Sequence, residues 1–396
     1  MPSSTTARTV KGIIAAALLA FVLGAGCARR REAVPRKAEP APEAGVWNET
    51  ARFLGGLKGP PGGAFRALED TPAWRQYAAD FDGNWKQLET SQFQPVEAFQ
   101  KRELASLHTG SRYLFYPFSG PDVLYPLRFF PEGGALVMSG LEPVGNLRPR
   151  EYYRTEKLER ELHGWRQALS SIVERSFFVT SEMDQQFRGR VADGLLPMIL
   201  LLLARSGHTI EQVRYGKLSG AGEFLPENPR EPPVRKHAAV EVRFRRGPGT
   251  APRTLYYFAT NLGPAFEHDL SFARFLDRMG KPDTLVKSAS FLLHWRMCQG
   301  LRRYILENSN LVLEDDTGVP YHYFQDAGWQ VRLFGAYSRP DKPFQKLYQQ
   351  DLAEAFRDSA RVRPLGFSLG YGYGRRPSSM ILAMRARPQD GPAGRQ

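Results

Sequence analysis

Apolar residues recur along this chain at two spacings, and the change from one to the other divides it. Between Trp47 and Leu107 the spacing is helical: Trp74, Tyr77, Phe81 and Trp85 stand three and four residues apart, as one buried helix face requires. Thr71 with Pro72 behind it reads as an N-cap with proline in the first turn, and Thr90 is a weaker candidate for a second cap. From Tyr113 onward alternation sets in. Val240, Val242 and Phe244 alternate with Glu241, Arg243 and Arg245, which marks a strand with one wet face; Val331 with Leu333, and Met380, Leu382 and Met384, repeat it. Helical patterns lie between, at about 152–176, 186–206, 267–279, 289–307 and 343–357.

These patterns predict an α/β (mixed α+β) body over residues 47–388: a mixed sheet of roughly eight or nine strands with flanking helices, led by a helical stretch at 47–107. The run Leu195–Ala204 is too short to cross a bilayer, which takes about 20 apolar residues, and predicts a fully buried central helix. A faint repetition adds to the picture. Tyr113–Val144 and Leu255–Leu293 each read strand, small polar turn, helix, strand, which points either to a weak internal duplication or to the order common in α/β proteins.

The chain opens differently. Arg8 and Lys11 precede an apolar run from Gly12 to Gly26, the pattern of a secretory signal peptide over residues 1–26. Leu23-Gly24-Ala25-Gly26-Cys27 resembles the lipobox of bacterial lipoproteins, although that family usually has leucine where this chain has Gly24. The resemblance implies that Cys27 is acylated, with palmitate-type chains, and becomes the mature N-terminus. Two or more acyl chains hold a protein firmly to a membrane. Ala28, rather than aspartate, follows the cysteine, and within the family this implies the outer membrane, facing the periplasm, over the inner one. An ordinary signal peptide and an uncleaved spanning helix are the alternatives. Residues 27–46 are rich in Ala, Pro, Arg and Glu without apolar period and read as the lipidated cysteine and a disordered tether, and 389–396 as a disordered tail.

Cysteine and charge narrow the function classes. Of two cysteines, Cys27 is taken by the lipid, so the body keeps Cys298 and no intrachain disulfide. Cys298 ends the apolar run from Phe291 and reads as a buried, inert thiol. The net charge of +13 falls to +11 once Arg8 and Lys11 are removed. An exported basic protein meets anionic lipid, envelope glycan or a protein partner rather than nucleic acid, and scattered Lys and Arg also fit a plain compositional bias. The membrane is a partner through the lipid.

The candidate chemistry sits in three stretches. In the first, the strand Phe115-Tyr116-Pro117 runs into Phe118-Ser119-Gly120-Pro121-Asp122, and a second strand ends in Gly140-Leu141-Glu142. If the two strands are parallel neighbours, Ser119, Asp122 and Glu142 gather at the carboxyl ends, where open α/β sheets bind ligands. Capping alone also accounts for them: Ser119 as cap, Pro121 in the first turn, Asp122 on the helix dipole. In the second, Glu314-Asp315-Asp316 before Thr317-Gly318 and His322 can serve acid–base chemistry, or sit exposed on a hairpin turn. The spacing matches no metal signature, and no metal or cofactor is expected. The third is the loop 366–376, where Tyr371, Tyr373, Arg375 and Arg376 are candidates for an adhesive ligand-binding surface. Gly366-Phe367-Ser368-Leu369-Gly370 spells a nucleophile elbow, but the glycines and tyrosines after it do not start a helix.

Phe115–Asp122, Leu195–Met198 and Glu314–Tyr321 together resemble exported bacterial proteins of no known activity, across most of the mature body. That resemblance carries no functional residue. The leading expectation is a lipid-anchored envelope protein that binds a ligand or partner without catalysis. The alternative is a periplasmic hydrolase of an envelope polymer, using Ser119, Asp122 and Glu142 with Asp315, Asp316 or His322.

Overall fold

The computed structural model describes residues 44–107, 109–148, 150–154, 157–166, 194–228, 237–325, 328–358, 360–372 and 377–385. The expected signal peptide, Cys27, most of the tether, the tail and residues 167–193 of two expected helices lie outside them. The tether ends earlier than its composition implies, because a helix is already running at Ala44.

Among the described residues eleven strands form one sheet: β1 (Tyr113–Pro117), β2 (Ala135–Gly140), β3 (Thr209–Leu218), β4 (Phe224–Pro226), β5 (Ala239–Arg245), β6 (Arg253–Ala259), β7 (Asp283–Val286), β8 (Leu311–Glu314), β9 (Trp329–Gly335), β10 (Val362–Arg363) and β11 (Ser379–Arg385). Their order is β10-β9-β11-β8-β7-β1-β2-β6-β5-β3-β4. The central five, β8, β7, β1, β2 and β6, run parallel. β11 inserts antiparallel between β8 and β9, and β5, β3 and β4 extend the other side antiparallel. The strand count exceeds the expectation partly because β4 and β10, of three and two residues, are too short to show alternation.

Alternating side chains send each strand's residues to two cores. Leu114, Tyr116, Leu136, Met138, Leu255 and Leu285 face one, which they share with α1 (Ala44–Leu54), α2 (Pro72–Leu88), α3 (Leu124–Phe129) and α4 (Leu196–Arg205). Tyr113, Phe115, Val137, Phe258 and Val286 face the other, with α5 (Leu270–Met279) and α6 (Gln299–Asn308). Covered on both faces, β1 buries all five of its residues, so it reads as an unbroken apolar run. Near the edge, β3 shows exposure that alternates. A smaller core joins Leu333 and Ile381 to Leu352 of α7 (Gln350–Arg357).

The helical lead-in follows its sequence. Trp74, Tyr77 and Phe81 are buried on α2, and Thr71 Oγ1 accepts the amide of Trp74 at 3.3 Å, with Pro72 opening the helix. The second cap does not exist. Helix continues through Thr90, whose hydroxyl instead donates to the Lys86 carbonyl at 3.0 Å. The helix widens to a π-turn at Glu89–Phe93 just before Pro95, the adjustment that a ring without an N–H calls for. α4 is the expected buried helix, with Leu196 through Ala204 all inside, and no helix among the described residues is long and apolar enough to cross a membrane.

The two similar stretches are both strand–helix–strand units, but with different geometry. The first joins neighbours β1 and β2 over one face through α3; the second leaves β6, passes over the other face through α5 and returns to β7 beside β1. A doubly wound sheet makes both units without any duplication. The boundary between β1 and β7, where connections depart in opposite directions, is its topological switch point. The single helix expected at 289–307 is instead two tight turns, Leu292–His294 and Arg296–Cys298, ahead of α6.

Candidate site at the switch point

The carboxyl end of β1 bends sharply. Phe118 and Gly120 take φ of 56° and 52°, and across the switch point the turn after β7 does the same at Ser288, Ser290 and Phe291, with φ of 54°, 52° and 56°. Those four non-glycine residues are the whole set with positive φ among the described residues. Each costs about 1–3 kcal/mol of backbone strain, which such turns hold only where the surrounding contacts over-determine them.

A buried ion pair joins the two turns. Lys287 Nζ lies 2.9 Å from Asp122 Oδ2, with both side chains at 5% exposure or less. Tyr116 donates its hydroxyl to the same oxygen at 3.0 Å, and the ammonium stands 4.2 Å from the Tyr125 ring centroid. Asp122 Oδ1 accepts the amides of Leu124 and Tyr125 at 3.2 and 3.4 Å. The carboxylate therefore caps α3 with one oxygen and holds Lys287 and Tyr116 with the other. Burial and the adjacent Asp122 charge push the Tyr116 hydroxyl far above its ordinary value, so it stays a donor.

The three acids after β8 are not on an exposed turn. Glu314, Asp315 and Asp316 are 1%, 1% and 4% exposed, because β8 lies inside the sheet and its end is covered by the loop before β11. Asp315 accepts the Ser288 amide at 2.8 Å and the Thr317 amide and hydroxyl at 3.0 and 2.5 Å, and Thr317 Oγ1 accepts the Ala289 amide at 2.8 Å. These bonds stitch the end of β8 to the strained turn of β7. Burial raises the Asp315 carboxyl above its usual range, against the pull of Thr317, Ser288 and Lys287. Glu314 is raised further still, by burial, with the Val319 amide on Oε2 at 2.8 Å and no hydrogen-bond partner for Oε1 among the described residues. Asp316 is tied down by its carbonyl, which accepts from Gln349 at 3.1 Å.

The glycines of the elbow-like string serve packing. Gly370, at φ 74°, lets the chain pass so close to Asp315 that a Cβ would stand 2.8 Å from Oδ2. Ser368 sits in irregular chain followed by a single tight turn, not between strand and helix. Tyr371 reaches inward: its hydroxyl pairs with Ser290 Oγ at 2.6 Å and donates to the Ser288 carbonyl at 2.8 Å. Tyr373, Arg375 and Arg376 lie outside the described residues.

The expectation that β1 and β2 are parallel neighbours holds, and their ends are joined by the Ser119 amide on the Ser139 carbonyl at 3.0 Å. The candidates nonetheless divide. Asp122 turns to β7, whereas Glu142 turns to β6, where Tyr257 donates to its carbonyl at 2.9 Å and stands 3.5 Å from Oε2. Ser119 does not cap α3; its hydroxyl donates to the carbonyls of Gly120 and Ser139 at 3.0 and 3.4 Å. No imidazole hydrogen-bonds it among the described residues. His322 is exposed, its ring 4.1 Å from that of Tyr323, and hydrogen-bonds none of the three acids. No group of three or more His, Cys, Asp or Glu side chains among the described residues has the geometry of a metal site.

Lys287 is the central residue that sequence reasoning missed. It ends an apolar strand, where a lysine ordinarily reads as the solvated rim, and the Ser-Ala-Ser that follows reads as a plain turn. The parallel between Leu255–Leu293 and Tyr113–Val144 held the signal, since both first and second units end strands at this edge. Comparison with known proteins finds no match: no family description, curated protein or solved structure is similar to this chain.

Proposed function

We propose that this chain is an exported, lipid-anchored envelope protein whose doubly wound body binds a small polar ligand at the carboxyl edge of β1, β2 and β7. The observation that carries the binding reading is the buried Asp122–Lys287 pair, set between two strained turns at the switch point. Open α/β sheets bind ligands at this place, and strain and buried charge together are more than packing needs. Support for the anchor comes from Arg8, Lys11, the apolar run to Gly26 and Cys27. The acids at the edge outnumber its cation, so hydroxyls and amines suit it better than anions.

Growing cells with a radiolabelled fatty acid tests the anchor: wild type takes up label and fractionates with membranes, and Cys27→Ser does neither. Equal labelling of Cys27→Ser contradicts it. Thermal denaturation of the full chain with small molecules extracted from the cell envelope tests the binding. A ligand at about 100 times its Kd adds about 2.7 kcal/mol, and the shift should vanish in Lys287→Met.

A further inference from the structure

Large apolar side chains exposed singly are ordinary, but several along one edge are not. Four are exposed among the described residues, and three stand in connections that leave the carboxyl ends of strands: Leu141 after β2, Leu270 where α5 begins after β6, and Trp295 after β7. Leu141 is 55% exposed and Trp295 46%. The connections touch one another. The Thr260 amide donates to the Gly140 carbonyl at 2.8 Å, so the chain after β6 lies beside Leu141. Gly263 packs so near Met297 that a Cβ there would stand 3.5 Å from its Cε, which sets exposed Pro264 next to the turn of Trp295.

Arginine flanks this strip. Arg296, exposed beside Trp295, makes no hydrogen bond or ion pair among the described residues, and Arg303 is exposed on α6. The acids nearby are engaged: Glu267 lies 3.8 Å from Arg303, and Asp269 caps α5 by accepting the Ser271 amide at 3.0 Å. An exposed tryptophan with apolar neighbours and arginine is the composition of a membrane–water interface, where the indole sits at headgroup level and the guanidinium meets phosphate.

The chain enters the body from the same side. α1 runs away from the carboxyl edge. Its Trp47 ring lies 6.3 Å from that of Tyr215, whose neighbour Gly216 pairs with Ala239, level with Phe258 near the end of β6. Asn48 then accepts the Ile210 amide at 3.1 Å, and Gly55, past the helix end, meets Arg205 at the far edge. From Cys27 to Ala44 the chain reaches about 60 Å at full extension, at about 3.5 Å per residue. A lipid on Cys27 therefore keeps the carboxyl edge within reach of the bilayer, on the side from which the tether arrives.

We propose that the carboxyl edge docks on the membrane that holds the anchor, with Trp295 and Leu141 in the headgroup layer and Arg296 on lipid phosphate. The inference rests on the lipid-anchor reading of Cys27.

Tryptophan emission tests it on the full chain, because of the six tryptophans Trp295 alone is exposed. Protein in vesicles of phosphatidylethanolamine and phosphatidylglycerol is compared with protein in the same lipids carrying bromine, a contact quencher, on their acyl chains. Bromine should remove roughly one sixth of the wild-type emission, one tryptophan's share, and far less from Trp295→Phe. Leu141→Asp and Arg296→Glu, surface changes expected to leave the melting temperature unaltered, should each cut the loss at least about twofold. Vesicles that sediment without the protein overturn the anchor and this inference together. Vesicles that carry the protein while bromine changes nothing, or quenches Trp295→Phe as strongly as wild type, overturn the docking and leave the anchor standing. Emission that shifts to the blue with rising protein concentration in detergent, in wild type but not in Trp295→Phe, would assign the face to a second copy of the chain, which also overturns it.

Discussion

The Lys287 ammonium lies 2.9 Å from the Asp122 carboxylate, so the ends of β7 and β1 are held across the switch point by one buried ion pair. Removing a single partner from such a pair strands the other charge and costs about 3–5 kcal/mol, whereas replacing both by apolar groups is often neutral. Asp122→Asn and Lys287→Met should each lower the melting temperature strongly. Asp122→Leu combined with Lys287→Met should recover much of that loss, as chemical denaturation in a double-mutant cycle would report. Additive losses would mean that the two groups are not coupled.

Acidity gives a second prediction. The Glu314 carboxyl is pushed by burial well above its ordinary value of 4.5, so the folded state holds a proton that the unfolded state releases. Stability from this group is therefore full below about pH 4.5 and declines as pH rises through the window above it. Asp315 shifts in the same direction. Glu314→Gln, which keeps the shape and carries no charge, should match wild type in acid and exceed it increasingly toward neutral pH. Melting curves between pH 4 and 8 would show the two diverge; parallel curves would contradict it.

The thiol offers a third. Cys298 is fully buried, and burial raises it to about 11. At pH 8 roughly one part in a thousand is thiolate. Labelling of Cys27→Ser protein with iodoacetamide should be slow in buffer and fast in denaturant, tracking unfolding. Rapid labelling of the native protein would mean that the thiol is reachable.

Thr71 supplies a fourth. Its hydroxyl caps α2, and Thr71→Ala should cost about 1 kcal/mol. Thr90→Ala, at the position that only resembled a cap, should cost less than half as much, because its hydroxyl bonds a carbonyl inside a continuous helix. Paired urea titrations would separate them.

These residues also mark how far the sequence carried. Period made α2 legible and alternation made β5, β9 and β11 legible, while α4, buried on every side from Leu196 to Ala204, was legible as an unbroken apolar run. The Ser-Gly-Pro-Asp turn was legible as a strand end because turn residues punctuate the chain. What Asp122 does was not, for its partner arrives from β7 through an order of strands that no local pattern encodes. Glu314, Asp315 and Asp316 read as solvated because three acids in a row usually are. Only the insertion of β11 beside β8 and the close pass of Gly370 bury them. Local spacing set the capping of the Leu124 and Tyr125 amides by Asp122 and the Thr317 bonds to Asp315, whereas long-range pairing brought Lys287 to Asp122 and Ser288 to Asp315.

The most direct test is hydrogen–deuterium exchange on the full chain in detergent, with and without the small molecules of the cell envelope. Protection on ligand addition should concentrate at residues 118–123, 139–143 and 286–291, the ends of β1, β2 and β7. Protection confined to other surfaces, with these three strand ends unchanged, would contradict a ligand site at the switch point.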